Sequence, residues 1–297
     1  MKAVQALQAE KKISIHNILF ATDFSPAADL AAPFAMQIAK TYGAKIYGVH
    51  VHEIENYATA SPQVWAMMAE AAEKEAHEKA RRLNEQLEGV EHHVSVHEGN
   101  IWEVISRLID EKKIDLVVLG THGRKGFGKA LLGSVAERIL RQAKCPVLTV
   151  GPNALLTLGN TLKLREIIYA TDLSAEFPAA AAYASSLAQE NQAHLGLLYV
   201  IEEQKTGDLV QPREIADAKM RMLGQLVPEG ADLWCKPECL VAQGDPAEKI
   251  LEVAEKQKAD LIVLGARPGK WFAAHLDAGT VHKVVTEARC PVLTVHT

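Results

Sequence analysis

The sequence is poor in the residues that mark several classes of protein. Its 297 residues include four cysteines, and 5% of them are aromatic. Cysteines this few and this scattered do not suit a disulfide scaffold, so we expect free thiols in a reducing compartment. Cys235 and Cys239 have no second pair of metal ligands nearby, which argues against a zinc site.

Long apolar runs and a surplus of basic charge are also lacking. No stretch of the sequence is apolar for long enough to span a bilayer, and the first twelve residues lack the apolar core of a signal peptide. The formal net charge is -5 with both signs spread along the chain, so no basic stripe would hold a nucleic-acid backbone. We therefore expect a cytoplasmic protein without a nucleic-acid or membrane partner.

The sequence contains an internal repeat, present in two copies. Residues 17–25, NILFATDFS, return as residues 166–174, EIIYATDLS, and DLVVLG at 115–120 returns as DLIVLG at 260–265. Each copy is long enough to bury a core of its own. We predict two domains, residues 1–152 and 163–297, joined by a linker at 153–162 in a stretch rich in Gly, Pro and Asn.

Each copy alternates short β-branched runs with longer segments of helical period, which is typical of βα units in a parallel sheet. In the first copy the pattern predicts strands near 17–22, 45–51, 92–97, 114–119 and 146–150 and helices near 26–42, 62–88, 100–112 and 134–143. The predicted fold class is α/β, with two tandem Rossmann-like domains. Each is a five-stranded parallel sheet of order 3-2-1-4-5 with helices on both faces.

In that order strands 1 and 4 are neighbours, and the winding direction of the chain reverses between them. Ligands of such sheets bind at this switch point. Two loops would then face each other, one carrying Asp23 after strand 1 and the other beginning at Gly120 after strand 4.

The loop after strand 4 has the features of an anion site. It runs from Gly120 to Ser134 with glycines, three cations at positions 124, 125 and 129, and the predicted start of a helix at its end. Glycines allow close approach of a ligand, and a helix N-terminus offers unpaired N–H groups to phosphate. Taken alone, the same residues also fit a surface loop followed by a serine cap.

The spacing Gly120-x2-Gly123-x9-Gly133-Ser134, after a VVL strand and before a helix and CPV, resembles the ATP-binding motif of the universal stress protein family. The resemblance extends over both copies and implies an adenine nucleotide alpha hydrolase-like fold. It implies ATP, ADP or AMP as ligand, with Mg²⁺ as a further candidate. The implied nucleotide-binding residues are Ala21, Thr22, Asp23, Val51, Leu119, Gly120, His122, Gly123, Arg124, Lys125, Gly133, Ser134 and Val135.

Two of these residues have other interpretations. Asp23 precedes a helix and could serve as its cap, although we favour a role at the ribose. His122 could act as a general base, but nothing in the sequence sets it against a nucleophile, so we assign it to binding. For the histidines at 50, 52, 92, 93 and 97 we favour ordinary sheet positions over a metal site, and we name no catalytic residue and no metal ligand.

The second copy departs from the motif. One extra residue separates its first two glycines, Gly265 and Gly269, while Pro268 and Asp277 oppose a phosphate there. A weaker second site would be formed by what remains of the pattern, namely Asp172, Val200, Gly265, Gly279 and Thr280. We predict one competent site, in the N-terminal domain.

Members of that family commonly dimerise through the fifth strand. We therefore expect residues 146–150 and 291–295 to pair within the chain, and the sequence leaves open whether two chains also associate. The function predicted first is an ATP-binding protein of stress response or signalling, at most a weak ATPase. Two alternatives remain open: a slow ATP hydrolase or nucleotidyl-transfer enzyme of the same fold, and a ligand-free dimerising scaffold.

Overall fold

The computed structural model describes residues 13–52, 62–121, 132–154, 164–173, 178–202, 212–227, 230–231, 235, 237–266 and 278–296. Within them strands and helices alternate along the chain, as the sequence predicts. The strands are β1 (Asn17–Ala21), β2 (Lys45–His52), β3 (His92–Glu98), β4 (Leu116–Gly120), β5 (Val147–Val150), β6 (Glu166–Ala170), β7 (His194–Ile201), β8 (Glu238–Gln243), β9 (Leu261–Ala266) and β10 (Val292–His296).

The helices fill the intervals between these strands. They are α1 (Pro26–Tyr42), α2 (Pro62–Gln86), α3 (Ile101–Glu111), α4 (Ser134–Gln142), α5 (Pro178–Asn191), α6 (Pro212–Gly224), α7 (Pro246–Gln257) and α8 (Ala278–Glu287). Within the described residues, side chains cap three helix N-termini, because Ser25, Asn100 and Asp245 each accept a hydrogen bond from a backbone N–H of the first turn.

The ten described strands form one sheet, in the order β3-β2-β1-β4-β5-β10-β9-β6-β7-β8. Each copy contributes five parallel strands in the predicted order 3-2-1-4-5. The copies meet where β5 runs antiparallel to β10, with Leu148 opposite Leu293. The Thr149 hydroxyl adds a hydrogen bond of 3.2 Å to the main-chain oxygen of Val292.

The register of β1 against β4 is held by a carboxylate at the start of β4. Asp115 Oδ2 accepts from the backbone N–H groups of His16 and Asn17, at 2.8 and 2.9 Å. In the second copy Asp260 Oδ2 accepts from Arg165 and Glu166 in the same way, at 2.7 and 3.0 Å. The start of β1 beside β4 and the start of β6 beside β9 are therefore held in the same way in both copies.

A continuous apolar layer covers each face of the sheet. Helices α1, α2, α5 and α6 bury one layer around residues such as Phe20, Leu83 and Tyr169, while α3, α4, α7 and α8 bury the other around Leu19, Ile139 and Ile262. Both layers extend across the two copies. Among the described residues, no helix is both long and apolar enough to cross a membrane.

Candidate functional site

The loop after β1 leaves the sheet in a tight turn. Thr22, which is buried, still donates its N–H to the main-chain oxygen of Val49, at 3.0 Å. Phe24 then adopts a left-handed backbone angle, with φ 58°, and donates its N–H to the Thr22 hydroxyl. Asp23 Oδ1 accepts from Ser25 N at 2.9 Å, and Ser25 caps α1. The helix cap is therefore Ser25, and the Asp23 carboxylate lies at the turn itself.

His50 holds this turn from the neighbouring strand. Its ring is buried and lies 2.8 Å from the Thr22 main-chain oxygen through Nδ1. Because a carbonyl can only accept, Nδ1 carries the proton and Nε2 is left to accept from Lys79 Nζ, 3.4 Å away. Lys79 is in turn paired with Glu75 at 2.5 Å on α2. His50 is thus more than an ordinary sheet histidine, and sequence spacing gave no sign of this contact.

The backbone N–H and C=O of Val51 point to the side of β2 on which β1 lies, beyond the last residue of β1 that pairs with β2. Along a strand, the N–H and C=O of successive residues point alternately to the two neighbouring strands. Val49 O accepts from Thr22 on the β1 side, and His52 O accepts from Gly99 on the β3 side. The N–H and C=O of Val51 are therefore directed toward β1, whose register with β2 ends at Ala21 opposite Val49.

A continued ladder would bond Val51 N–H to the Thr22 oxygen, but no bond joins these two atoms and the oxygen accepts from His50 instead. Among the described residues, Val51 consequently presents one donor and one acceptor, side by side, at the mouth of the crevice between β1 and β4. The Ala21–Leu119 pair, where β1 and β4 lie side by side, forms its floor.

Gly120, the last residue of β4, lies directly beneath the start of α1. A Cβ placed on it would lie 2.7 Å from the carbonyl carbon of Ala27 and 2.8 Å from the nitrogen of Ala28. These distances are too short for any side chain, and the neighbouring atoms are backbone. The packing of α1 on β4 therefore requires a glycine at position 120. This structural requirement is independent of the place of Gly120 in a phosphate motif.

Among the described residues, nothing caps the N-terminus of α4 with a side chain. Gly133 is its N-cap and donates its own N–H to the Thr121 oxygen, at 2.8 Å. The first bond within the helix runs from Glu137 N to Gly133 O, so the N–H groups of Ser134, Val135 and Ala136 have no partner inside the helix. Gly133 itself has no side chain to cap them, and Ser134 is exposed. This end of the helix is suited to an anion.

The remaining predicted residues of the first site are His122, Gly123, Arg124 and Lys125. They lie outside the described residues, and so does the third cation of the loop, Lys129. The described part of the site therefore has two halves, the crevice at Thr22, Asp23 and Val51 and the helix end at Gly133 to Val135.

The second copy repeats the first half closely. Thr171 N donates to Leu198 O at 3.0 Å, and Leu173 has φ 60° with its N–H on the Thr171 hydroxyl. Asp172, between them, is exposed. Where the first copy has His50, the second has Tyr199, and Lys219 Nζ lies 4.4 Å from the centre of that ring.

The phosphate end of the second copy differs. Helix α8 begins at Ala278, directly after Asp277, so Gly279 and Thr280 lie in its first turn. Gly265 lies in β9, and Ala266 follows it where the first copy has the buried Thr121. Pro268 and Asp277 fall outside the described residues.

Other side chains singled out in the sequence do not assemble into a site. No group of three or more His, Cys, Asp or Glu in the described part of the chain could hold a metal ion. His97 lies opposite Val51 in the β2–β3 register, with its Nε2 2.9 Å from the Ser95 hydroxyl. Burial, together with Arg107, lowers the pKa of His97 and favours its neutral form.

Comparisons with known proteins all indicate the same family. The sequence pattern of the universal stress protein family matches residues 14–151 and again residues 163–296. A universal stress protein of Methanocaldococcus jannaschii is 35% identical over 136 residues, which cover 45% of this chain and 80% of that protein.

A solved structure that spans both copies agrees on the fold. The crystal structure of a universal stress protein from Archaeoglobus fulgidus covers 94% of this chain and 98% of its own, with 20% identity and a TM-score of 0.69. A universal stress protein solved in complex with cAMP matches 46% of this chain and 98% of its own, with 24% identity and a TM-score of 0.37. Since its two halves both match the family pattern, the chain belongs to the universal stress protein family and is a tandem member of it.

Proposed function

We propose that the first copy binds an adenine nucleotide, ATP being the form that its motif favours, and that occupancy of this site is the signal the protein carries in a stress response. The observation that carries the proposal is the backbone of Val51, which offers a donor and an acceptor side by side at the switch point of the sheet. The edge of adenine carries an amino donor next to a ring-nitrogen acceptor, so the two are complementary. Binding pockets use such fixed backbone groups for specificity.

The other described groups fit the rest of the nucleotide. The Asp23 carboxylate at the turn suits the ribose hydroxyls, which donate to it. The open N-terminus of α4 suits phosphate oxygens, because three N–H groups and the positive end of the helix dipole meet there. The exposed Ser134 hydroxyl is the group we assign to phosphate or to a Mg²⁺ ion bound with it.

We assign these groups to binding and orientation and none of them to catalysis. No described carboxylate or histidine of the site is set against an attacking water, since His50 is buried and engaged with Thr22 and Lys79. Binding without rapid turnover is therefore the function proposed. Steady hydrolysis on the order of one ATP per second or faster would instead favour the hydrolase alternative.

Calorimetric titration of the full chain with ATP tests the proposal. We expect one ATP per chain, and Gly133→Asp should abolish binding because it sets a carboxylate at the phosphate end of the crevice. Gly279→Asp is the matched control, since it adds the same charge to the first turn of α8 and should leave ATP binding unchanged. The proposal is wrong if ATP at millimolar concentration does not bind, or if Gly133→Asp binds as the unaltered chain does.

A second measurement needs no variant. Denaturing the freshly purified protein and analysing the supernatant by mass spectrometry identifies a nucleotide that was retained. We expect an adenine nucleotide, at no more than one per chain. A released guanine or pyrimidine nucleotide would contradict the assignment of Val51 to an adenine edge.

A further inference from the structure

Helix α2 contacts the turn that follows β1. The guanidinium carbon of Arg82 lies 5.6 Å from the centre of the Phe24 ring, and Arg82 also donates at 2.9 Å to Asp29 in the first turn of α1. The His50 ring packs against Phe24 as well, with 5.1 Å between the ring centres. Phe24 has a left-handed backbone angle, which persists in a residue other than glycine only where its surroundings hold it. Helix α2 and strand β2 therefore both support the strained residue of the turn.

Lys79 lies one helical turn before Arg82 and reaches the second ring nitrogen of His50. Its Nζ is 3.4 Å from His50 Nε2, and its side chain is only 13% exposed. Nδ1 of the same ring lies 2.8 Å from the Thr22 oxygen. An ammonium group only donates and a carbonyl oxygen only accepts. Both neighbours of the ring therefore favour the same neutral tautomer, with the proton on Nδ1.

Glu75 holds the Lys79 ammonium group in place. Its Oε1 lies 2.5 Å from Lys79 Nζ, one helical turn earlier on α2. The carboxylate also offsets the charge of an ammonium group that is largely withdrawn from solvent. A chain of contacts thus runs from Glu75 through Lys79 and His50 to the Thr22 oxygen. Because the hydrogen bond at one ring nitrogen determines which nitrogen carries the proton, this chain connects α2 to the turn.

The second copy has a lysine at the corresponding place but no histidine. Lys219 of α6 lies over the Tyr199 ring, with its Nζ 4.4 Å from the ring centre. A tyrosine ring has no nitrogen, so a cation at its face selects no tautomer. Leu173 has the left-handed angle of Phe24 without an aromatic ring. Within the described residues, the contacts that run from the helix through a histidine to the turn therefore belong to the first copy.

We propose that Lys79 is a positioning residue of the first nucleotide site and acts through His50. By donating to Nε2 it keeps the proton of His50 on Nδ1, which then donates to the Thr22 oxygen. That oxygen is thereby withheld from Val51, whose N–H stays available to a ligand, and the turn that carries Asp23 keeps its shape. The inference rests on the proposed function and adds to it a residue outside the crevice that prepares the site.

The tautomer of His50 is the first readout. In the nucleotide-free full chain labelled with ¹⁵N-histidine, NMR should show His50 with its proton on Nδ1, and the signals lost in His50→Phe identify this residue. In Lys79→Met the signals should shift toward a mixture of both neutral tautomers, because Nε2 has lost its donor. Lys79→Arg keeps a donor and should retain the Nδ1–H form. An unchanged tautomer in Lys79→Met would overturn the proposal.

Calorimetric titration with ATP gives the second readout. Lys79→Met should bind ATP roughly twofold to tenfold more weakly, as expected for the loss of one hydrogen bond. In the His50→Phe background the same substitution should cause no further loss, because a residue that acts through His50 has no effect once that ring is replaced. Lys219→Met is the matched control in the second copy and should bind ATP as the unaltered chain does.

The outcomes separate this inference from the proposed function. A further loss of affinity from Lys79→Met in the His50→Phe background overturns the inference, since Lys79 would then act without His50. An ATP affinity in Lys79→Met equal to that of the unaltered chain overturns it as well. If the unaltered chain binds no ATP, the proposed function fails, while a changed tautomer in Lys79→Met still supports the link from Lys79 to His50. Circular dichroism checks that each variant keeps the fold.

Discussion

Gly120 lies so close to Ala27 that a methyl group on its α-carbon would lie 2.7 Å from the Ala27 carbonyl carbon. The neighbouring atoms are helix backbone, which cannot rotate aside as a side chain does. Gly120→Ala should therefore force α1 away from β4 and lower the free energy of unfolding by about 1–3 kcal/mol. Urea unfolding followed by circular dichroism measures this loss.

Gly224→Ala is the control for that substitution. Gly224 ends α6, and a Cβ on it would meet no atom within 4 Å. In a helix alanine is preferred to glycine by about 0.5–1 kcal/mol, so this variant should be as stable as the unaltered chain or slightly more so. Equal losses for the two variants would show that close packing at Gly120 is not the cause.

The hydrogen bond between His50 and Thr22 leads to a prediction about affinity. His50→Phe keeps a ring against Phe24, whose centre is 5.1 Å away, but removes the donor that holds the Thr22 oxygen. The freed oxygen can then accept from Val51 N–H and close the crevice. With one hydrogen bond worth about 0.5–1.5 kcal/mol, ATP should bind roughly twofold to tenfold more weakly.

His52→Phe provides the comparison on the same strand, because His52 is exposed at the end of β2. Its substitution should leave the calorimetric affinity for ATP unchanged. A reduced affinity in both variants would point to a general effect of the ring substitution, and an unchanged affinity in His50→Phe would remove His50 from the site.

Much of the fold could be predicted from the repeat. Two copies of a βα pattern gave the strand order and the switch point, since both follow from local period and from general rules of connection. The reason for Gly120 could not be found in this way, because Ala27 is distant in sequence and its proximity depends on how α1 lies on the sheet.

Some features of the candidate site could not be predicted from the sequence either. The prediction named Val51 by resemblance, but the direction of its N–H and C=O follows from hydrogen bonds of Val49 and His52 to residues elsewhere in the chain. His50 was one histidine among several, and nothing in its spacing distinguished it. Such roles depend on which strand ends first, which a linear pattern does not encode.

The buried cysteines should be unreactive while the protein is folded. Burial raises the pKa of Cys145 and of Cys290 to about 12 and that of Cys235 to about 11. Because the thiolate is the reactive form, these three thiols should react with Ellman's reagent at pH 8 far more slowly than a free thiol. Cys239 is only partly buried and should react first.

Addition of urea is the control for this measurement. In the unfolded chain all four thiols should react within the time of mixing and to a total of four per chain. Rapid reaction of Cys145 or Cys290 in the folded protein would contradict their burial and would place the meeting of β5 and β10 in doubt.

His296 joins the two copies and should make the stability depend on pH. Its Nε2 donates to the main-chain oxygen of Leu140, 2.5 Å away in the last turns of α4. Burial lowers the pKa of His296 below its ordinary value of 6.5, so the unfolded chain takes up a proton more readily than the folded chain. The free energy of unfolding should therefore fall as the pH drops below about 6.5.

His296→Gln tests this prediction, because glutamine has an amide donor and does not titrate. Urea unfolding at pH 7.5, 6.5 and 5.5 should show a smaller loss of stability at low pH for this variant than for the unaltered chain. His52→Gln, which replaces an exposed histidine, should follow the unaltered chain. If the free energy of unfolding falls equally with pH for His296→Gln and for the unaltered chain, other groups cause the loss of stability. The hydrogen bond from His296 in β10 to α4 would then not set the pH dependence.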